Sequence, residues 1–400
     1  MPWKDATVVD ERKAFLTAWK KGEVSFSALC RYFNISRPTG YKWLGRFAEE
    51  GDPGLADRSR APHDQPGRTP TPIQDEILRL RGQHPTWGPK KLLAFLQQRQ
   101  PRRPWPAAST IGDLLRREGL AHPRPPRRRT PPHTQPLAHA LAPNDVWCAD
   151  FKGWFLCQDG RRCDPLTISD AYSRFLLRCC SVPKTDGLHV QRVFQAAFRE
   201  FGLPRAIRTD NGPPFGSTGL AGLSRLSVWW IRLGIRPERI DAGCPQQNGR
   251  HERFHLTLQQ DVISPPRASV PAQQRAFHSF RQQYNQLRPH EALGQQTPAS
   301  LYRASPRLFP AQLPDLAYPF EVYLRRISPA GHFSWHNHQV HLSVLLEGQD
   351  IALRPIHQDE FFEVFFGPLL LGWFDAPSAT FNPNRPPPRR QRRKPRADPG

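Results

Sequence analysis

Apolar residues recur at helical spacing through the first fifty positions. In VVDERKAFLTAW, Val9, Phe15, Leu16 and Trp19 fall near one side of a helix. In the following VSFSALCRYFNISRPTGYKWLGRFAEEG, a short helix carries Ala28, Leu29 and Phe33. Asn34 suits a positive-φ turn position. Ser36 suits a helix cap, Pro38 a first turn and Gly51 a stop. Helix, tight turn and second helix read as a helix-turn-helix over residues 1–55, with Arg37, Thr39, Tyr41 and Lys42 presented by the second helix. After a Pro/Gly/Arg linker, a second helix-turn-helix unit is expected over residues 68–121. It comprises PIQDEILRLRGQ capped by Thr71 or Thr69, a helix from Pro89, and ASTIGDLLRREGL capped by Ser109 or Thr110.

From residue 143 the pattern changes. DVWCADFKGWFLC, CDPLTISDAYS and RFLLRCCSV read as strands. TDGLHVQRVFQAAFREFG is an amphipathic helix with Val190, Val193, Phe194, Ala197 and Phe201 on one side, Asp186 as cap and Gly202 as stop. PRAIRTDNG is a short strand entering a turn. LSRLSVWWIRLG and NGRHERFHLTLQQDV are helical, IRPERIDA holds a further short strand, and PAQQRAFHSFRQQYNQ is a long helix. Strands in a run and then alternating with helices imply a mixed α/β sheet, residues 143–302. Residues 318–376 alternate with period two around turn signals, which predicts a small antiparallel β-barrel of about five strands.

Charge narrows the partner. The formal net charge is +22 and the pI near 10.5, which favours a polyanion, nucleic acid ahead of an anionic membrane. No apolar run approaches the ~20 residues of a membrane span, and the first residues lack a secretory apolar core, so a cytoplasmic protein is expected. The seven cysteines form no C-x-x-C pair, which disfavours a disulfide framework or a cysteine zinc site. Residues 122–142 are a basic, Pro-rich spacer whose Arg127, Arg128 and Arg129 suit a phosphate backbone. Residues 377–400 are expected to be a basic, disordered tail that binds polyanions.

The acids carry the candidate chemistry. In period-two alternation Asp150 shares a strand face with Val146 and Cys148, where a charge is costly unless paired or metal-bound. Asp210 ends IRTD just before an Asn211-Gly212 turn, and carboxyl ends of strands in open α/β sheets are where ligands bind. Glu252 opens a helix entered through CPQQNGR. Oxygen-only ligation by these three points to Mg²⁺ or Mn²⁺, two ions serving phosphodiester displacement. A competing reading exists, because His251-Glu252-x-x-His255 spells the H-E-x-x-H zinc-protease string. No acid or histidine follows at a workable third-ligand position, and Arg253 sits inside the motif, so the metal reading of Glu252 is preferred. Asp241 competes as third carboxylate. Asp170 reads as a turn acceptor, and Asp145 and Asp164 as solvated. His255 is either a DNA contact or a packing histidine. Lys90 and Lys91 either touch phosphate or form a wet helix face. Trp147, Trp229 and Trp230 read as core.

WCADFKG, IRTDNGPPF and PQQNGRHERFHLTL resemble the three catalytic blocks of the DDE transposase and retroviral-integrase superfamily. YNQLRPHEALGQQTPASLY resembles the helix after its glutamate. The two N-terminal helical units and the C-terminal β segment resemble those of bacterial insertion-sequence transposases of the 481 group. The resemblance implies a multidomain protein: a ribonuclease-H-like α/β core, N-terminal all-α helix-turn-helix units and a small C-terminal β-barrel. It implies catalytic, metal-binding Asp150, Asp210 and Glu252, with His251 in place of the usual small or aliphatic residue. It implies DNA contacts from Asn211, Gln247, Asn248 and Arg250, double-stranded DNA at element ends and target as partners, and a homo-oligomer working at the bacterial nucleoid. The activity implied is DNA cleavage at element ends and joining of 3′-hydroxyls to target DNA. The alternatives are a decayed or domesticated DNA-binding repressor and a plain ribonuclease-H-type nuclease.

Overall fold

The computed structural model describes residues 7–58, 68–121, 137, 139–240, 249–319, 321–357 and 360–384. Two compact units divide at residues 69 and 70.

In the first unit, α1 (Val8–Lys21), α2 (Phe26–Tyr32) and α3 (Arg37–Glu50) enclose Phe15, Leu16, Phe26, Leu29 and Trp43. The turn chemistry matches the sequence. Asn34 has φ 52°, the Ser36 hydroxyl accepts from the Thr39 amide at 3.3 Å, and Gly51 follows the last turn of α3. Gly40 makes the crossing possible. A Cβ there would stand 2.8 Å from the Phe26 ring and 2.9 Å from Cys30 Sγ.

The second unit opens with α4 (Thr71–Gln83), α5 (Pro89–Arg99) and α6 (Ala108–Arg117), packed around Ile77, Leu92, Leu96 and Ile111. Two expected caps are not used. Pro70 occupies the cap position of α4 and Ala107 that of α6, neither with a capping side chain. Ser109 and Thr110 fall inside α6 because its helical backbone begins at Ala108.

Next come β1 (Val146–Phe151), β2 (Phe155–Leu156), β3 (Arg162–Cys163), β4 (Pro165–Asp170), β5 (Leu176–Ser181), α7 (Gly187–Phe201), β6 (Ala206–Thr209), α8 (Arg225–Arg232) and β7 (Arg236–Arg239). The main sheet has the order β5-β4-β1-β6-β7. β4 and β5 run antiparallel, whereas β6 and β7 run parallel to β1. Helical crossovers permit the parallel half. This arrangement puts β1 at the centre of a sheet with helices on both faces. Trp147, Phe194, Phe198 and Trp230 fill the α7/α8 side. The other side is covered by α9 (Gly249–Leu258), a π-turn over Gln259–Ile263 and α10 (Val270–Gln286), through Phe254, Leu258 and Phe277 on Leu176 and Cys179.

The C-terminal strands are β8 (Tyr323–Arg326), β9 (His332–Trp335), β10 (His338–His341), β11 (Asp350–His357), β12 (Phe361–Phe366), β13 (Leu369–Asp375) and β14 (Thr380–Asn382). They do not close into the expected barrel. Five form an open sheet, β14-β13-β12-β11-β8, and β9 and β10 pair separately. The apolar face is covered by that hairpin, through Phe333, Trp335 and Val340, and by Leu223, Val228 and Ile231 at and beside α8. With its face already covered, the sheet does not need its edge strands to meet. Among the described residues, no helix is long and apolar enough to cross a membrane.

Candidate active site

Strand register brings two of the three candidate carboxylates together. Val146, Trp147 and Cys148 of β1 lie beside Ala206, Ile207 and Arg208 of β6. Continuing both strands by two residues sets Asp150 abreast of Asp210, across a parallel pair whose strands are ~4.8 Å apart. Alternation carries Trp147 and Ala149 into the α7/α8 core. Asp150 therefore faces the opposite side, towards α9, with Thr167, its partner across β4.

Asp210 lies just past the end of β6 and is half-buried. Burial raises its pKa, opposed by a hydrogen bond from the Gly212 amide. Its buried Oδ1 has no hydrogen-bond partner. An orphaned carboxylate oxygen at a strand end, beside a second aspartate, is a hard oxygen donor pair suited to a divalent cation. The neighbouring Asn211 amide donates to the Ile240 carbonyl at 2.9 Å, tying the ends of β6 and β7.

Glu252 stands in the first turn of α9 and is exposed. Among the described residues, no group of three or more His, Cys, Asp or Glu side chains is placed to hold a metal. Asp150 and Asp210 are thus set side by side, while Glu252 is not gathered with them into a three-ligand cluster.

The histidines flanking Glu252 have a different task. Thr167 Oγ1 donates to the Asp150 carbonyl at 3.0 Å. The same oxygen lies 2.9 Å from His255 Nε2 and 3.3 Å from His251 Nε2. With its proton committed to the carbonyl, the hydroxyl is left to accept from the imidazoles. Burial lowers the pKa of His251 to about 4, helped by Arg174, and that of His255 to about 3, helped by His251 and Lys152. Both rings are neutral packing groups under the helix. This disposes of the zinc-protease string, since its two imidazoles turn into the sheet and Glu252 turns out. It also corrects the reading of His255 as a DNA contact: the side chain is 8% exposed.

The remaining candidates are scattered. Asp170 accepts from the Asn144 amide (2.7 Å) and from the Ser173 amide (2.7 Å) and hydroxyl (2.6 Å), a structural knot. Asp145 and Asp164 are not simply solvated. Asp145 accepts from the Leu141 and Ala142 amides, and Asp164 is paired by Arg162. In the first unit Arg37 is exposed, and the Thr39 hydroxyl bonds Ser36 at 2.8 Å. The Tyr41 ring stands 4.2 Å from that of Phe26, and Lys42 lies over Trp43. Lys90 pairs with Glu291 at 2.7 Å, and Lys91 is half-buried. Arg127, Arg128, Arg129, Asp241, Gln247 and Asn248 lie outside the described residues, as does the side chain of Arg250. Sequence reasoning missed Thr167. Its signal was a hydroxyl between two apolar residues, Leu166 and Ile168, at the same alternation as the face that carries Asp150.

Comparison with known proteins bears on this arrangement. Two models described as integrase core domain match residues 140–245 and 233–298, spanning the strands and helix that carry Asp150, Asp210 and Glu252. Residues 140–298 are thus similar to an integrase core domain. A helix-turn-helix domain matches residues 11–63 and a homeodomain-like domain residues 39–115. An uncharacterized 31.7 kDa protein of insertion element IS407 from Burkholderia multivorans is 34% identical over 188 residues, 46% of this chain and 65% of the relative. A 39.2 kDa protein of IS476 from Xanthomonas euvesicatoria is 32% identical, over 41% of this chain and 46% of its own length. The chain thus spans less than two thirds of these relatives. The transposase InsD of insertion element IS2 from Escherichia coli is 28% identical over 57% of this chain and 78% of its own. The HTLV-2 integrase catalytic core domain in complex with magnesium is 18% identical over 41% of this chain and 99% of that one, with a TM-score of 0.32. Nothing in these matches resolves the 481 group.

Proposed function

We propose that this integrase-core protein is a DNA transposase that cleaves the ends of an insertion sequence and joins the freed 3′-hydroxyls to target DNA. The observation that carries the reading is the parallel register of β1 and β6, which brings the strand ends at Asp150 and Asp210 alongside each other, with a buried carboxylate oxygen of Asp210 left without a partner. Asp150 and Asp210 would hold Mg²⁺ or Mn²⁺, and Glu252 would complete the donor set. A pair of divalent ions so held supplies Lewis acidity at the phosphodiester. Support comes from Thr167, which ties His251 and His255 of the Glu252 helix to the Asp150 backbone. In the joining step the attacking 3′-oxygen forms its bond to phosphorus as the target's own 3′-oxygen leaves.

Element ends would be read by the two helical units, residues 1–55 and 68–121. Arg37, Thr39, Tyr41 and Lys42 would act in the first, Lys90 and Lys91 in the second. Arg127–Arg129 would serve the phosphate backbone, and Asn211, Gln247, Asn248 and Arg250 the DNA beside the carboxylates. The residues 143–302 core would act as a dimer or tetramer on DNA, at the nucleoid. The net charge of +22 supports such a partner.

A second reading is a DNA-binding copy without catalysis. The exposed position of Glu252 favours it. One assay separates the two. The full chain is incubated with linear DNA carrying the flanking inverted repeats, a supercoiled target and Mg²⁺ or Mn²⁺. End cleavage and joined product support the transposase; end binding with neither product under either ion supports the silent copy.

A further inference from the structure

Where α5 meets α9 and the turn after α10, the second unit holds a cleft of about 420 Å³, lined by Lys91, Arg174, Arg253, Arg288, His290 and Glu291. It shares Lys91, Arg253 and Glu291 with a larger groove of about 940 Å³ that runs along the starts of α5 and α6. The acids of this corner are already committed. Asp261 is bound by Arg288 at 2.6 Å, and Glu291 by Lys90 at 2.7 Å. Among the described residues Lys91 and Arg253 have no ion-pair partner, so the cleft keeps an excess of positive charge. Its electrostatics agree: burial and then the charges of Arg288 and Arg253 push the Lys91 ammonium down to about 8. Like charges held together in a half-buried cleft call for an anion. His290 adds a buried Nε2 without a hydrogen-bond partner.

The shape fits a backbone rather than a small anion. The space is open, and its positive groups come from four separate segments: α5, the turn after β4, α9, and the turn after α10. Arg253 and Thr257 line it from α9, whereas His251 and His255 of that helix face the sheet. Glu252 precedes Arg253 on the same turn.

We propose that this cleft is a sequence-independent binding site for the phosphate backbone of duplex DNA, which clamps the strand against α5 and leads it to the Glu252 end of α9. Lys91 and Arg253 are its principal contacts. The proposal rests on the transposase reading and adds to it a surface outside the helix-turn-helix of the first unit.

The test is a fluorescence-anisotropy titration of the full chain with a labelled duplex of random sequence over a salt series. Variants are Lys91→Gln with Arg253→Gln, Arg253→Gln alone, and the charge-keeping pair Lys91→Arg with Arg253→Lys. Each lost phosphate contact lowers the slope of log affinity against log salt by about 0.9. The double neutral variant should lose about 2 from the slope, Arg253→Gln about 1, and the charge-keeping pair nothing. Arg253 is exposed, so its single variant folds even if the double does not. A wild-type slope in Arg253→Gln and in a folded double variant overturns the cleft while leaving the transposase reading in place. A wild-type chain with no salt-dependent affinity for duplex DNA overturns that reading itself.

Discussion

Thr167 and His255 meet at 2.9 Å beneath the helix that carries Glu252. The same hydroxyl donates to the backbone of Asp150. One side chain therefore joins the central strand and the α9 helix, two elements far apart in sequence, at the level of the candidate carboxylates.

Thr167→Val keeps the shape of the residue and removes the shared oxygen. It leaves a buried imidazole N–H without its acceptor, which costs ~1–3 kcal/mol where no water replaces the partner. The variant should melt several degrees lower and cleave DNA more slowly, with duplex affinity retained. Calorimetry and a cleavage time course check this; an unchanged melting temperature removes the anchor.

Acid should weaken the fold before it touches the carboxylates. His255 and His290 are each held at about 3 in the folded protein, chiefly by burial, against an ordinary 6.5. As pH falls below 6.5 the unfolded chain takes up these protons first, so folded stability declines with pH down to about 3 and is insensitive to these groups above neutrality. Urea midpoints at pH 7.5, 6 and 5 should fall in that order, and His290→Gln should flatten the trend. A midpoint rising on acidification contradicts the neutral, buried assignment.

Gly40→Ala tests the close crossing of α2 and α3. The new methyl meets Phe26 and Cys30 below 3.0 Å, and overpacking of this kind costs ~1–3 kcal/mol. Loss of sequence-specific end binding with joining activity on high DNA concentrations intact is the expected result. Wild-type end affinity would show that the helices can separate without consequence.

Ile231→Ala probes the surface shared by α8 and the C-terminal sheet. Ile231 is buried among residues of that sheet, and truncation of such a side chain costs ~2–5 kcal/mol. The sheet should become protease-sensitive at lower denaturant than in the wild type. Equal protection in both would mean that the sheet holds its face without α8.

Local features were legible before any coordinates. Asn34, Ser36 and Gly51 announce the first helix-turn-helix because each solves a backbone problem in place. Asp186 and Gly202 bracket α7 for the same reason, although Phe198, buried near its C-terminal end, escaped the stripe drawn for it. The alternation of β1 separated Asp150 from Trp147 correctly. What stayed hidden was non-local. Period two shows that strands have an inner face but not what covers it, so an open sheet capped by a hairpin and α8 read as a barrel. His251 and His255 looked like metal ligands because the group that accepts from them, Thr167, lies more than eighty residues away. The cleft around Lys91 and Arg253 is assembled from four segments, each unremarkable as a solvated cation in its own stretch.

The central claim is that Asp150 and Asp210 form the metal-binding heart of a strand-joining site. It is tested most directly by assaying Asp210→Asn and the wild-type chain side by side for Mg²⁺- or Mn²⁺-dependent joining of a pre-cut element end to plasmid DNA. The account predicts joined product from the wild type, and none from Asp210→Asn at equal binding of the end. Joining by Asp210→Asn at the wild-type rate, or joining by the wild type in excess chelator, would contradict it.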